Sequence, residues 1–141
     1  MKVQSLCKQL GATACLAFCY GRAATEGYGG SEKERDLFLI KRIVQAEDVF
    51  LVDKEFHVLD ADKLIHFINP LVAARVTKKI ITSLDDIKEY EFVAVNFRYG
   101  KNNHWVLVHY GKIYFNSLDY SQSVALGTPV EARIIYIKEA A

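Results

Sequence analysis

The chain lacks any apolar run approaching the ~18–20 residues that a bilayer span requires. It also lacks charge of one sign: 18 basic and 17 acidic residues leave a net +1 over 141 residues. With both signs interspersed, the electrostatic case for a nucleic-acid partner disappears, so neither a membrane nor a nucleic acid is expected. Proline is scarce, with two residues, and 51% of the chain is apolar, a composition that folds rather than one that stays disordered. Cysteine is scarce too. Cys7, Cys15 and Cys19 form an odd set without C-x-x-C spacing, which offers neither a disulfide framework nor a zinc site. No metal or organic cofactor is implied, and a reducing, cytoplasmic setting fits the thiols. With no repeat and no low-complexity linker, residues 1–141 read as one domain large enough to bury a core.

The N-terminus admits a second reading. Lys2 and Lys8, the stretch Leu10 to Tyr20 and then Arg22-Ala23-Ala24 resemble a signal peptide with a short apolar centre. Against it, Lys8 sits late, and Phe18 is too bulky for the small residue a processing site needs before Cys19.

The apolar periodicity gives helices first and strands last. A helix is expected from Thr13 to Ala24, stopped by Gly27-Tyr28-Gly29-Gly30. Ser31 with Glu34 predicts a capping box for a helix through Val44, and Asp60 predicts a cap for Ala61 to Phe67, ended by Asn69-Pro70. Val49–Val52 and Phe56–Val58 read as short extended pieces. Leu71 to Thr82 stays open between strand and helix, because its Val, Ile and Thr residues conflict with Ala73-Ala74-Arg75. Ser83 to Glu89 reads as a helical turn. Phe92–Phe97 reads as a strand, His104–Tyr110 and Ile113–Asn116 as a hairpin about Gly111-Lys112, and Arg133–Ile137 as a central closing strand. That order predicts an α+β class, N-terminal helices packed on a C-terminal antiparallel sheet.

The chemistry concentrates in Gln9-Leu10-Gly11-Ala12-Thr13-Ala14-Cys15. A Thr13 cap would put Cys15 in the first helical turn, over unpaired N–H groups and the positive end of the macrodipole. Both favour thiolate and predict a lowered pKa. His104 starts a strand after a polar loop and is the candidate base. Asn116, twelve residues on, is the candidate to orient its ring, with Asp119 as the fallback. Gln9 could fold back beside the Cys15 N–H and complete an oxyanion hole. Each residue also has a plainer role: Cys15 and Cys19 as core at i,i+4 spacing, His104 as a hydrogen-bonded histidine, Asn116 as a turn residue, Gln9 as a solvated side chain. His109 falls on the opposite face from His104, and His57 and His66 have no partner pattern. Trp105, Tyr110 and Tyr114 read as packing aromatics.

A helix bearing a cysteine, followed by strands supplying His104 and Asn116, with Gln9 six residues ahead of Cys15, resembles the papain-like cysteine peptidases. Ala14-Cys15-Leu16-Ala17 and His104-Trp105-Val106-Leu107-Val108 resemble, within that superfamily, the double-glycine peptidases that process bacteriocins. A small uncharacterised family of that fold from phages, prophages and spirochaetes is more similar still. That likeness also takes in Tyr114-Phe115-Asn116, Ser121-Gln122-Ser123-Val124, Gly127 and Arg133-Ile134-Ile135-Tyr136. The resemblance implies a papain-like fold and a cysteine peptidase or amidase that hydrolyses a peptide or amide bond in a peptide or protein substrate. In that scheme Cys15 attacks, His104 relays the proton, Asn116 orients the ring and Gln9 helps hold the oxyanion.

Two departures keep an alternative open. Relatives of that kind place the cysteine directly after the helix-leading glycine, where this chain has Ala12, and have Asp-Pro where it has Asn116-Ser117. If Ala12 marks a lost nucleophile, the chain is a papain-like pseudoenzyme that binds a peptide or protein, phage-encoded in one form of that reading.

Overall fold

Helix-forming periodicity and local caps set the first half of the molecule. The computed structural model describes residues 14–117 and 121–141. Helix α1, Cys15–Ala24, is followed by α2, Glu32–Asp48, where the Ser31 hydroxyl accepts the Glu34 N–H at 3.2 Å. Helix α3, Ala61–Ile68, is capped by Asp60, whose carboxylate accepts the Lys63 N–H at 3.0 Å. The two side-chain caps stand where the sequence puts them, with the Ser31 hydroxyl making its half of the expected capping box. Helix α2 runs one turn beyond the expected Val44, because Ile43 and Ala46 continue its buried stripe. Leu39 and Ile43 on that stripe are fully buried, each stabilising the fold by roughly 1.5–3 kcal/mol.

The open segment resolves as strand β1, Val72–Ile80; its β-branched residues override the local Ala-Ala-Arg preference. A 3-10 turn at Leu84–Ile87 with a Ser83/Asp86 capping box follows, then β2, Phe92–Tyr99, and β3, Asn102–His109. A two-residue turn joins β3 to β4, Lys112–Phe115. It consists of Tyr110 and Gly111, φ 46° and 80°, rather than the expected Gly111-Lys112. Positive φ at both positions is the geometry that matches the twist of the paired strands. Helix α4, Gln122–Leu126, is a short element that the periodicity does not signal, and β5, Thr128–Glu139, ends the fold.

The described residues therefore form an α+β unit: four α-helices and a five-stranded antiparallel sheet in the order β1-β5-β2-β3-β4. Strand β5, nearly continuous in apolar residues from Ile134 to Ile137, lies between β1 and β2 as its composition demands. Alternation divides the sheet into two faces. Phe92, Ala94, Leu107 and Ile135 pack against α1, α2 and α3 in one core. Val93, Val95, Val106, Val108 and Ile134 form a second core on the far face, joined by Val124 of α4. Of the described residues, none lies in a helix long and apolar enough to cross a membrane.

Candidate active site

Cys15 is the first residue of α1. The residue ahead of it is Ala14, which offers no side-chain cap, while the expected capping residue Thr13 lies outside the described residues, as do Cys7, Gln9, Ala12 and Asp119. The sulfur sits where helix geometry leaves N–H groups without intrahelical partners. The Leu16 N–H and the Cys15 N–H act on it, and the Trp105 N–H reaches it at 3.4 Å from across the fold. All three favour thiolate. Burial opposes them and wins: the side chain is 1% exposed, and loss of water pushes the thiol up from 9.0 to about 11. This corrects the expectation of a lowered pKa. The macrodipole argument is local, whereas the covering of the sulfur is tertiary.

His104 lies on β3 opposite Phe97 and is likewise 1% exposed. Its Nε2 lies 2.7 Å from Asn116 Oδ1. An amide oxygen only accepts, so Nε2 carries the proton and Nδ1 keeps its lone pair. Nδ1 is buried and has no hydrogen-bond partner among the described residues. Burial lowers the His104 pKa below 6.5, and the Asn116 hydrogen bond only partly opposes this. The imidazole is therefore neutral at pH 7, with its basic nitrogen unspent.

Trp105 follows His104 in β3, so the sulfur rests one peptide unit from the residue that bears the imidazole. Trp105 and Leu107 face the helices. His104, by alternation, faces Val106 and Val108 on the far side. The Trp105 N–H lies in the plane of the sheet, so the thiol meets β3 at its edge, near the point where β4 stops at Phe115 opposite Leu107, beside the residue whose imidazole leaves the strand on the far face. Asn116, just past β4, joins the imidazole on its face.

The sequence singled out Cys15, His104 and Asn116, and these converge on β3 in the way described. It missed Trp105, whose backbone rather than its ring matters, and the pair behind it. The Arg133 guanidinium lies 5.1 Å from the Trp105 ring and is held by the Glu131 carboxylate. Glu131 and Arg133 on β5 and Trp105 on β3 share the helix-facing side of the two strands that flank β2, a relation visible only once register is known. Cys19 is buried in the helix core. His109 stacks on Phe92 at 5.0 Å, His57 contacts Asp53 at 3.0 Å, and His66 Nδ1 lies 2.7 Å from the Val72 carbonyl. Among the described residues, no group of three His, Cys, Asp or Glu side chains could hold a metal ion.

No protein-family model, curated protein or solved structure matches the chain.

Proposed function

We propose that the chain is a cysteine peptidase or amidase of papain-like architecture, related to the double-glycine peptidases, acting through Cys15, His104 and Asn116. One observation carries the reading: a buried imidazole is fixed by Asn116 in the tautomer that leaves Nδ1 bare, beside a strand N–H that grips the Cys15 sulfur. A buried, unspent lone pair is costly in a purely structural histidine, and general-base chemistry needs one.

Because Cys15 holds its proton at pH 7 and His104 is neutral, the pair starts as thiol and imidazole, not as an ion pair. Nδ1 takes the thiol proton as the sulfur bonds to the carbonyl carbon. The Nε2–H bond to Asn116 keeps the ring oriented and supports the imidazolium that forms. The Cys15 and Leu16 N–H groups at the helix mouth are donors for the developing oxyanion, and Gln9 is the proposed further donor. The amine leaves with the proton from Nδ1, and water activated by the same nitrogen then cleaves the thioester.

The burial of Cys15 favours a second reading, a catalytically silent scaffold that keeps the fold to bind a peptide or protein. Incubation with p-nitrophenyl acetate separates the two. An acetyl group on the Cys15 peptide, formed about 10²–10⁴ times more slowly in His104→Ala, is the expected result. Absence of acyl-Cys15, or equal acylation in that variant, would leave only the silent scaffold.

A further inference from the structure

On the sheet face turned away from α1, α2 and α3, strands β1 and β5 carry an open surface pocket of about 400 Å³ lined by Ala73, Ala74, Arg75, Tyr136, Ile137 and Lys138. Register explains its shape. Ala73 pairs with Lys138 and Arg75 with Tyr136, so one short side chain stands in a square of three long ones and leaves the hole. Ala74 and Ile137 point to the helix core and supply only the floor.

The walls are built for negative charge. The Arg75 guanidinium lies 4.8 Å from the Tyr136 ring centre, and the edge-to-face contact of Tyr90 at 6.2 Å fixes that ring in turn. Stacking holds the guanidinium plane and leaves its N–H edge free to form a fork. Neither Arg75 nor Lys138 has an acidic partner in the ion pairs among the described residues. The two are diagonal neighbours on one face, close enough for like charges to repel. An anion between them removes that repulsion.

We propose that this pocket is an oxyanion site, taking a small ligand in which a carboxylate or phosphate sits beside an apolar body that rests on Ala73 and the Tyr136 ring edge. Base stacking as in a single-stranded nucleic-acid platform is disfavoured, since Arg75 already covers a face of Tyr136. The site shares no residue with the Cys15 centre, so either proposal can fail alone.

The test is a titration of the full chain, followed by amide chemical shifts, with phenyl phosphate, benzoate and neutral benzamide. Saturable shifts confined to residues 73–75 and 136–138 with an anion, and none with benzamide, are expected. The tighter anion identifies the source. Arg75→Met should weaken binding about tenfold, the scale of one charge-assisted contact, with Lys138→Met also weakening it. Both side chains are exposed, so the variants keep the wild-type spectrum elsewhere. The proposal is overturned by shifts that never saturate, by equal affinity in Arg75→Met, by equal binding of benzamide, or by a short oligothymidylate binding the same residues more tightly than either anion.

Discussion

Raising pH from 6 to 11 in the presence of iodoacetamide tests whether burial or the helix terminus governs Cys15. At pH 7 a thiol with a pKa of about 11 holds roughly one thiolate in 10⁴, against roughly one in 10² at the ordinary 9.0. The more basic sulfur is the better nucleophile, and that recovers roughly eightfold of the hundredfold deficit. Cys15 should therefore alkylate about tenfold more slowly than N-acetylcysteine on ionisation alone, and more slowly again because its side chain is 1% exposed. Rates read per peptide by mass spectrometry separate Cys15 from Cys7 and Cys19. The logarithm of the Cys15 rate should climb with unit slope past pH 9 and level only near 11. A plateau at or below 9, or labelling at pH 6 faster than the reference, would refute the thiol–imidazole starting state. Either result would put an ion pair in its place. The same burial has a stability signature. The folded thiol keeps a proton that the unfolded chain loses from pH 9 upward, so stability is intact below 9 and falls by about 3 kcal/mol on the way to 11.

Three further outcomes follow from the geometry. Burial lowers the His104 pKa below 6.5, so the unfolded chain binds a proton the folded chain refuses. Stability to urea should then fall as pH drops through 6.5, by up to about 1.4 kcal/mol per unit, and His104→Gln should flatten that slope; an unchanged slope would clear His104 of the effect. Asn116→Ala leaves the buried Nε2–H without its 2.7 Å acceptor and should cost about 1–3 kcal/mol while lowering the imidazole pKa further, whereas Asn116→Asp should raise it, both readable from His104 ring chemical shifts. In Gly127→Ala the new methyl would stand 2.2 Å from the Arg98 carbonyl and 2.3 Å from that of Ser123, backbone atoms that cannot swing aside; a loss of about 2–4 kcal/mol in urea denaturation is expected, and a neutral result would show that α4 shifts freely.

What the sequence makes legible is whatever depends on neighbours along the chain. Ser31 and Asp60 cap helices because the cap is a three-residue affair, and the Ile134–Ile137 run places β5 inside the sheet because no edge strand would carry it. Cys15 and Asn116 could be named because each sits at an element boundary, and His104 because it follows a polar loop, although β3 begins two residues before it, at Asn102. What the sequence hides is set by contacts at long range. Ala73-Ala74-Arg75 favours a helix until β5 pairs with it, and α4 is too short to register as a period. The thiol pKa moved against expectation because the local N–H groups count for less than the covering of the sulfur, which no window around Cys15 contains.

The placement of Asn116 illustrates how a single irregularity couples topology to chemistry. Strand β4 pairs with β3 as Val108↔Ile113 and then Leu107↔Phe115, so one extra residue enters β4 between those pairs. Had the first register continued, position 116 would lie opposite Trp105 and turn its side chain toward the helices. The bulge advances the strand by one, position 116 falls opposite Val106, and the amide turns to the far face where His104 waits at 2.7 Å. Tyr114, on the bulged segment, is tied by its hydroxyl to the Glu26 carboxylate at 2.8 Å in the loop that leaves α1. The helix that carries the sulfur is thereby linked to the irregularity that aims the amide. The sulfur, the imidazole and the amide reach the strand by three routes, a helix start, a strand alternation and a bulge. Only the last decides whether the imidazole is held in the tautomer that the proposed chemistry requires.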